Sequence, residues 1–200
     1  MTCLYTSRRN PAWVSSANLA EGDLPKMHTM VQETHADFIL DLGTRLGGTT
    51  LMMHETRPMA VLWSFDTRNW GRDFGPVSDY HVKDEVTDEP QAQMEWFDLF
   101  LVRFFRMDFL EQAPAIKRGV HCYEYNRLFI FVDGFWKAKE ATYYTDLMRP
   151  GDVMALHDVG QWDPEIVERE VFGEKFKRFK EDLRLTLGFG DAIFWERMVD

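Results

Sequence analysis

Positive charge and cysteine are what this chain is short of. Lys and Arg number 23 against 33 Asp and Glu, a formal net charge of −10 over 200 residues. Nucleic-acid phosphates are gripped by clustered cations, so this balance argues against nucleic acid as the main partner, though not against a small basic pocket. Cys3 and Cys122 are the two cysteines. They form neither a CxxC motif nor a metal-ligand spacing, which argues against a disulfide framework and makes a reducing cytoplasm the expected location. No apolar run approaches the length of a membrane span. MTCLYTSRRNPAW has no long apolar segment after its arginines, so a signal peptide is not expected there. Internal repeats and low-complexity segments are absent. What remains is an ordinary globular composition, 45% hydrophobic, long enough for one domain with a sizeable core.

The organising stretch is FILDLGTRLGGTT, residues 38 to 50. Phe38, Ile39, Leu40 and Leu42 flank Asp41. Gly43, Gly47 and Gly48 follow, interleaved with Thr44, Thr49 and Thr50. A buried strand, a glycine turn and a helix start make the first unit of a nucleotide-binding α/β sheet. Glycine admits positive φ and close backbone approach, and the free N–H groups at a helix start can hold an anion such as a carboxylate. On this reading Gly43→Val abolishes ligand binding and leaves the protein folded. A second apolar run, 60 to 65, ends in Asp66, 23 residues after Gly43. That spacing suits a carboxylate accepting from the two hydroxyls of a ribose.

Along the chain, residues 1 to 25 read as an irregular N-terminal arm and 26 to 200 as a single domain. Met27, Met30 and Val31 stand at helical spacing over 26 to 36, where His28 and His35 are read as solvated or capping. Strands are predicted at about 38–42, 60–66, 101–107, 128–132 and 152–156, and helices at about 48–56, 93–101 and 136–148. Residues 109 to 118 are a short helix or turn. The acidic, aromatic-bearing stretch 67 to 97 is an insertion, either a lid or a solvated excursion. Val167, Val171, Phe176 and Phe179 predict a helix over 164–182 with a solvated charged face. LRLTLGFGDAIFWERM reads as two strands around Gly188 and Gly190. Alternating strands and helices predict an α/β layered sheet, with strands buried on both faces.

The carboxyl ends of the strands carry Asp41-Leu42-Gly43, Asp66, Asp108, Asp133 and His157-Asp158. Ligands of open α/β sheets bind at that edge, so these acids are expected to share one site.

The order FILDLGTRLGGTT, SFDT, FVDG and LMRPGDVMALHDV resembles the class I S-adenosylmethionine-dependent methyltransferases. Within them it is most similar to the cephalosporin hydroxylase-like and macrolide sugar O-methyltransferase group. The resemblance covers about residues 26 to 160, and LGFGDAIFW fits the family's final strand. It implies a Rossmann-like seven-stranded, mostly parallel sheet with a C-terminal antiparallel strand and helices on both faces. It implies S-adenosylmethionine as cofactor and O-methylation of a small molecule or sugar hydroxyl, and leaves a homo-oligomer open.

Carried over, Asp41, Gly43, Thr44, Gly47, Gly48 and Thr49 surround the methionine part of the cofactor. Asp66 holds the ribose, Met107 and Asp108 flank the adenine, and Asp133 lies beside the cofactor. Relatives with metal use an acid after strand four and a polar pair after strand five. Here these are Asp133 and His157-Asp158, the implied Mg²⁺ ligands, although Mg²⁺ prefers oxygen. Relatives also follow the strand-four DG with a polar residue and a histidine, where this chain has Phe135-Trp136. The catalytic set implied is then His157 as base with Asp133 and Asp158 positioning the acceptor hydroxyl or a metal. Trp70, Tyr80 and Trp136 are candidate walls of an acceptor pocket, with core packing the alternative for all three and the preferred reading for Trp136 alone. Loss of the base at 135–136 supports a second reading, a non-catalytic methyltransferase-fold binding or structural protein. A nicotinamide oxidoreductase is disfavoured, because GTRLGG is not G-x-G-x-x-G.

Overall fold

Residues 23–43, 48–66 and 101–199 are described by the computed structural model. Most of the predicted arm, Thr44, Gly47, the 67–97 insertion with Trp70 and Tyr80, and nearly all of the 93–101 helix lie outside these residues.

Helix α1 (Leu24–Thr34) buries Leu24, Met27, Met30, Val31 and Thr34, a stripe at three- and four-residue spacing. It ends where His35 turns left-handed at φ 53° and its N–H donates to Gln32 O. Strand β1 (Phe38–Leu42) is buried throughout. Helix α2 (Gly48–Thr56) and strand β2 (Val61–Asp66) follow, then β3 (Val102–Arg106), helix α3 (Ala113–His121) and β4 (Leu128–Val132). Helix α4 (Lys137–Tyr144) leads to β5 (Val153–His157). The chain closes with the single turn α5 (Pro164–Val167), β6 (Phe176–Arg178), α6 (Glu181–Thr186) and β7 (Ala192–Arg197).

The seven strands form one sheet in the order β3-β2-β1-β4-β5-β7-β6, parallel except for β7. Strand alternation splits the core. Phe38, Leu40, Leu42, Ile130 and Trp195 lie on one face with α3 and α4. Ile39, Phe129, Phe131 and Phe194 lie on the other with α1 and α2. Helices therefore cover both faces, as parallel strands require. No helix among the described residues is long and apolar enough to cross a membrane.

Two predicted elements are corrected. Residues 164–182 are not one helix. Asp163 caps a single turn by accepting from the N–H groups of Glu165 and Ile166, and the helix widens over Glu168–Phe172. Gly173, at φ 55°, then stops it, and β6 follows. Phe176 and Phe179 match a helical period, but they serve opposite faces of the sheet. The first half of the predicted closing hairpin is α6. Arg184 holds it by a bidentate pair to Glu181 and by donating to Phe189 O at 2.6 Å.

Gly43 fixes how β1 meets β4. Its φ is 107°, and a Cβ there would lie 2.5 Å from the Asp133 carbonyl carbon and oxygen. Asp133 N–H donates to Leu42 O at 2.7 Å across the same junction. The glycine is thus required by the fold itself, which corrects the expectation that Gly43→Val leaves a folded protein. Gly43→Ala should lower unfolding stability by roughly 1–3 kcal/mol from backbone strain, with more from the clash. A urea midpoint equal to wild type would show that this junction yields freely.

Candidate functional site

At the carboxyl end of β1, Asp41 points to the α2 face and is fully buried. Its Oδ2 accepts from Thr50 Oγ1 and, at 3.0 Å, from Ser64 Oγ. Its Oδ1 is buried with no hydrogen-bond partner among the described residues. Burial raises the carboxyl to a pKa of about 7. Thr50 and Ser64 oppose that shift, while the charges of Asp133 and Asp66 add to it. Asp66 ends β2 and is 4% exposed. Gly43 N–H donates to Phe65 O at 2.8 Å, so the glycine turn lies against the end of β2.

A denser cluster stands at the ends of β4, β5 and β7. The His157 side chain is fully buried. Its Nδ1 is 2.7 Å from Asp133 Oδ1 and its Nε2 is 2.8 Å from Asp191 Oδ2. Asp158 Oδ1 lies 3.4 Å from the same Nδ1. Ionised carboxylates only accept, so both ring nitrogens donate and the ring is an imidazolium. Burial alone would push its pKa down. The hydrogen bond and charge of Asp133, with the charges of Asp158 and Asp191, outweigh burial and lift it to about 9.

Lys137, the first residue of α4, turns inward. Its Nζ donates to Asp158 Oδ2 at 2.8 Å and to Gly134 O at 2.9 Å, and lies 3.7 Å from Asp133 Oδ1. Glu140, one turn on, accepts from Trp136 N–H at 2.9 Å. A Cβ on Gly134 would meet the Glu140 carboxylate at 2.3 Å. Asp158 itself is left-handed, at φ 54°, which turns the chain sharply off β5.

The structure therefore brings Asp133, His157 and Asp158 together, with their candidate ligand atoms within 4.8 Å of one another. It places Asp41, Gly43 and Asp66 at the neighbouring strand ends, and Gly48 and Thr49 at the start of α2. Thr44 and Gly47 lie outside the described residues. Met107 packs on the core beside β3. Asp108 Oδ1 is taken up by the N–H groups of Leu110 and Glu111, the bond of a turn residue.

Both ring nitrogens of His157 face carboxylates, and Mg²⁺ prefers oxygen to a ring nitrogen. The Lys137 ammonium stands beside two of the three candidate metal ligands, 2.8 Å from Asp158 and 3.7 Å from Asp133. Core packing of Trp136 needs correction. Phe135 and Trp136 are 84% and 62% exposed, and their rings meet edge to face with centroids 5.0 Å apart. Sequence reasoning passed over Lys137, Asp191, Ser64 and Thr50 as site residues. Lys137 sits one helical turn beyond Asp133, and Asp191 directly follows the closing Gly190; these were the available signals.

No protein-family model matches the sequence. No curated protein matches it either. Solved structures do match in shape. The O-methyltransferase TomG of Streptomyces achromogenes, involved in tomaymycin synthesis and solved with S-adenosylmethionine, superposes with a TM-score of 0.58. It is 15% identical over 91% of this chain and 82% of its own. An O-methyltransferase from Bacillus cereus, solved with S-adenosylhomocysteine, gives 0.56 at 13% identity over 91% and 83%. The Podospora anserina methyltransferase PaMTH1 gives 0.55 at 10% identity over 91% and 80%. The fold is that of the S-adenosylmethionine-dependent methyltransferases. Identities this low establish the fold alone.

The imidazolium makes stability depend on pH. His157 binds its proton more tightly folded, at about 9, than at the ordinary 6.5. Its contribution is complete below 6.5 and is lost as pH rises through about 9. Denaturant midpoints of the wild type should fall across that window. His157→Asn should start lower and lose this part of the slope. Identical slopes in the two proteins would mean that the ring is neutral when folded.

Proposed function

We propose that this protein is an S-adenosylmethionine-dependent methyltransferase acting on a hydroxyl of a small molecule. The observation that carries the reading is the place where Asp41, Gly43, Asp66 and Asp133 converge. It is the junction of β1 with its two neighbours β2 and β4, where the strand order reverses, and crevices of open α/β sheets bind ligands there. The buried Oδ1 of Asp41, without a hydrogen-bond partner among the described residues, offers an acceptor to an ammonium or N–H group of the cofactor. Asp66 is the carboxylate for the ribose hydroxyls. When bound, the cofactor supplies an electrophilic methyl group on a sulfonium.

The chain's own task is then to hold an acceptor oxygen in line with that methyl and to ease loss of its proton. Asp133, Asp158 and Asp191 are the acceptors of the cluster. Of these, Asp158 and Asp191 retain exposed surface, 22% and 31% of their side chains, through which an incoming hydroxyl can be met. Phe135 and Trp136, exposed between the end of β4 and the start of α4, offer an apolar face for the rest of the acceptor. The acidic surface favours neither nucleic acid nor membrane as partner, and a cytoplasmic setting suits the free Cys122. A second reading, a methyltransferase fold that binds without turnover, is favoured by His157, whose two nitrogens are both committed to carboxylates.

Calorimetry with S-adenosylmethionine tests the first reading. Binding is expected, and Asp66→Ala should weaken it by about 1.5–3 kcal/mol, the range for hydrogen bonds to a charged group. Absence of heat at millimolar cofactor would remove the enzyme reading. Tight binding without methyl transfer to any of a panel of phenols, sugars and hydroxy acids would favour the second.

A further inference from the structure

An ammonium already stands where a divalent ion would be needed. Asp133, Asp158 and Asp191 meet around one buried ring, and carboxylates so close repel unless positive charge lies between them. Here the positive charge is supplied by the chain. His157 separates Asp133 from Asp191 at 2.7 and 2.8 Å. Lys137, with a side chain only 6% exposed, bridges Asp158 at 2.8 Å and Asp133 at 3.7 Å. An ion held by Asp133 and Asp158 would be pressed against that ammonium, and like charges at such separations exclude each other.

We propose that Lys137 is a built-in replacement for a divalent cation, so that the acceptor site works without metal and Lys137 Nζ faces the acceptor oxygen. An ammonium has three N–H donors. Two go to Asp158 and to Gly134 O. The third has as its nearest charged neighbour Asp133, at 3.7 Å beyond hydrogen-bond length. Among the described residues no third acceptor lies within hydrogen-bond length, so it remains for an oxygen arriving at the strand ends, whose developing negative charge it would stabilise. Only that last role rests on the methyl-transfer reading. Exclusion of metal by an ammonium holds whatever the protein does.

Manganese is the probe, because Mn²⁺ accepts the oxygen-rich coordination that Mg²⁺ uses and reports binding by its paramagnetic resonance spectrum. Wild-type protein should leave the free-ion signal unchanged at millimolar Mn²⁺. Lys137→Met keeps the side-chain volume and removes the charge. It should gain a Mn²⁺ site at least roughly tenfold tighter than any in the wild type, and Asp158→Asn added to it should abolish that site. Wild-type Mn²⁺ binding that is lost in Asp158→Asn would overturn the proposal. So would a folded Lys137→Met protein that takes up no Mn²⁺. Should that variant fail to fold, the wild-type measurement decides alone. None of these readouts needs cofactor or turnover, so they can fail independently of the methyltransferase reading. If that reading also holds, methyl transfer should survive a chelator and be lost in Lys137→Met.

Discussion

The buried imidazolium of His157 is the interaction on which the ligand edge of this sheet depends. It is the last residue of β5, and it ties together the residue after β4 and the residue before β7. Three strand ends thereby share one charge. A buried ion pair adds little net stability over a well-packed apolar alternative, but removing one partner leaves a buried charge exposed to no solvent, at a cost of about 3–5 kcal/mol. The cluster thus holds strand ends in register more than it adds to the total. Trp162 reinforces it by donating from Nε1 to His157 O at 2.7 Å, which anchors the turn that follows β5.

That cluster is electrically continuous with the glycine turn. Asp133 carries its carboxylate toward His157 while its backbone lies under Gly43. Its charge also contributes to holding the Asp41 carboxyl up. Asp41 is therefore poised near neutrality, and its protonation responds to any charge placed between β1 and β4. A cationic ligand there would favour the ionised carboxylate, so binding would release a proton from Asp41 in part of the molecules. The same two neighbours, Gly43 and Asp133, set backbone geometry and local potential together.

Much of this was legible in the chain because strands and their ends announce themselves. The apolar runs ending in Asp41, Asp66, Asp133 and His157-Asp158 mark parallel strands buried on both faces, and their order fits the observed sheet. Legibility failed where period and partner disagree. Phe176 and Phe179 match a helix by spacing, but a three-residue strand sends them to opposite faces. Lys137 was invisible as a site residue because an isolated lysine at a helix start is ordinarily solvated. Only the inward turn of α4, with Lys137, Glu140, Ala141 and Tyr144 all buried, brings it to the carboxylates. Protonation of His157 likewise depends on Asp191, distant by 34 residues, which no local pattern links to it.

The exposed Phe135-Trp136 pair follows from the same inward turn. The first turn of α4 buries Lys137, and Glu140 closes back on the Trp136 N–H. Gly134 is pressed against the Glu140 carboxylate and has no room for a side chain. With positions 134, 137 and 140 committed to the interior, the two residues between Gly134 and Lys137 are left to face outward. Two large aromatic rings in that position bury little of their own surface, and neither contributes a full core residue's stabilisation. Folding alone thus gives no reason for aromatic residues at 135 and 136, and small or polar residues would complete the same turn. An apolar partner that arrives at the strand ends would recover the burial these rings forgo.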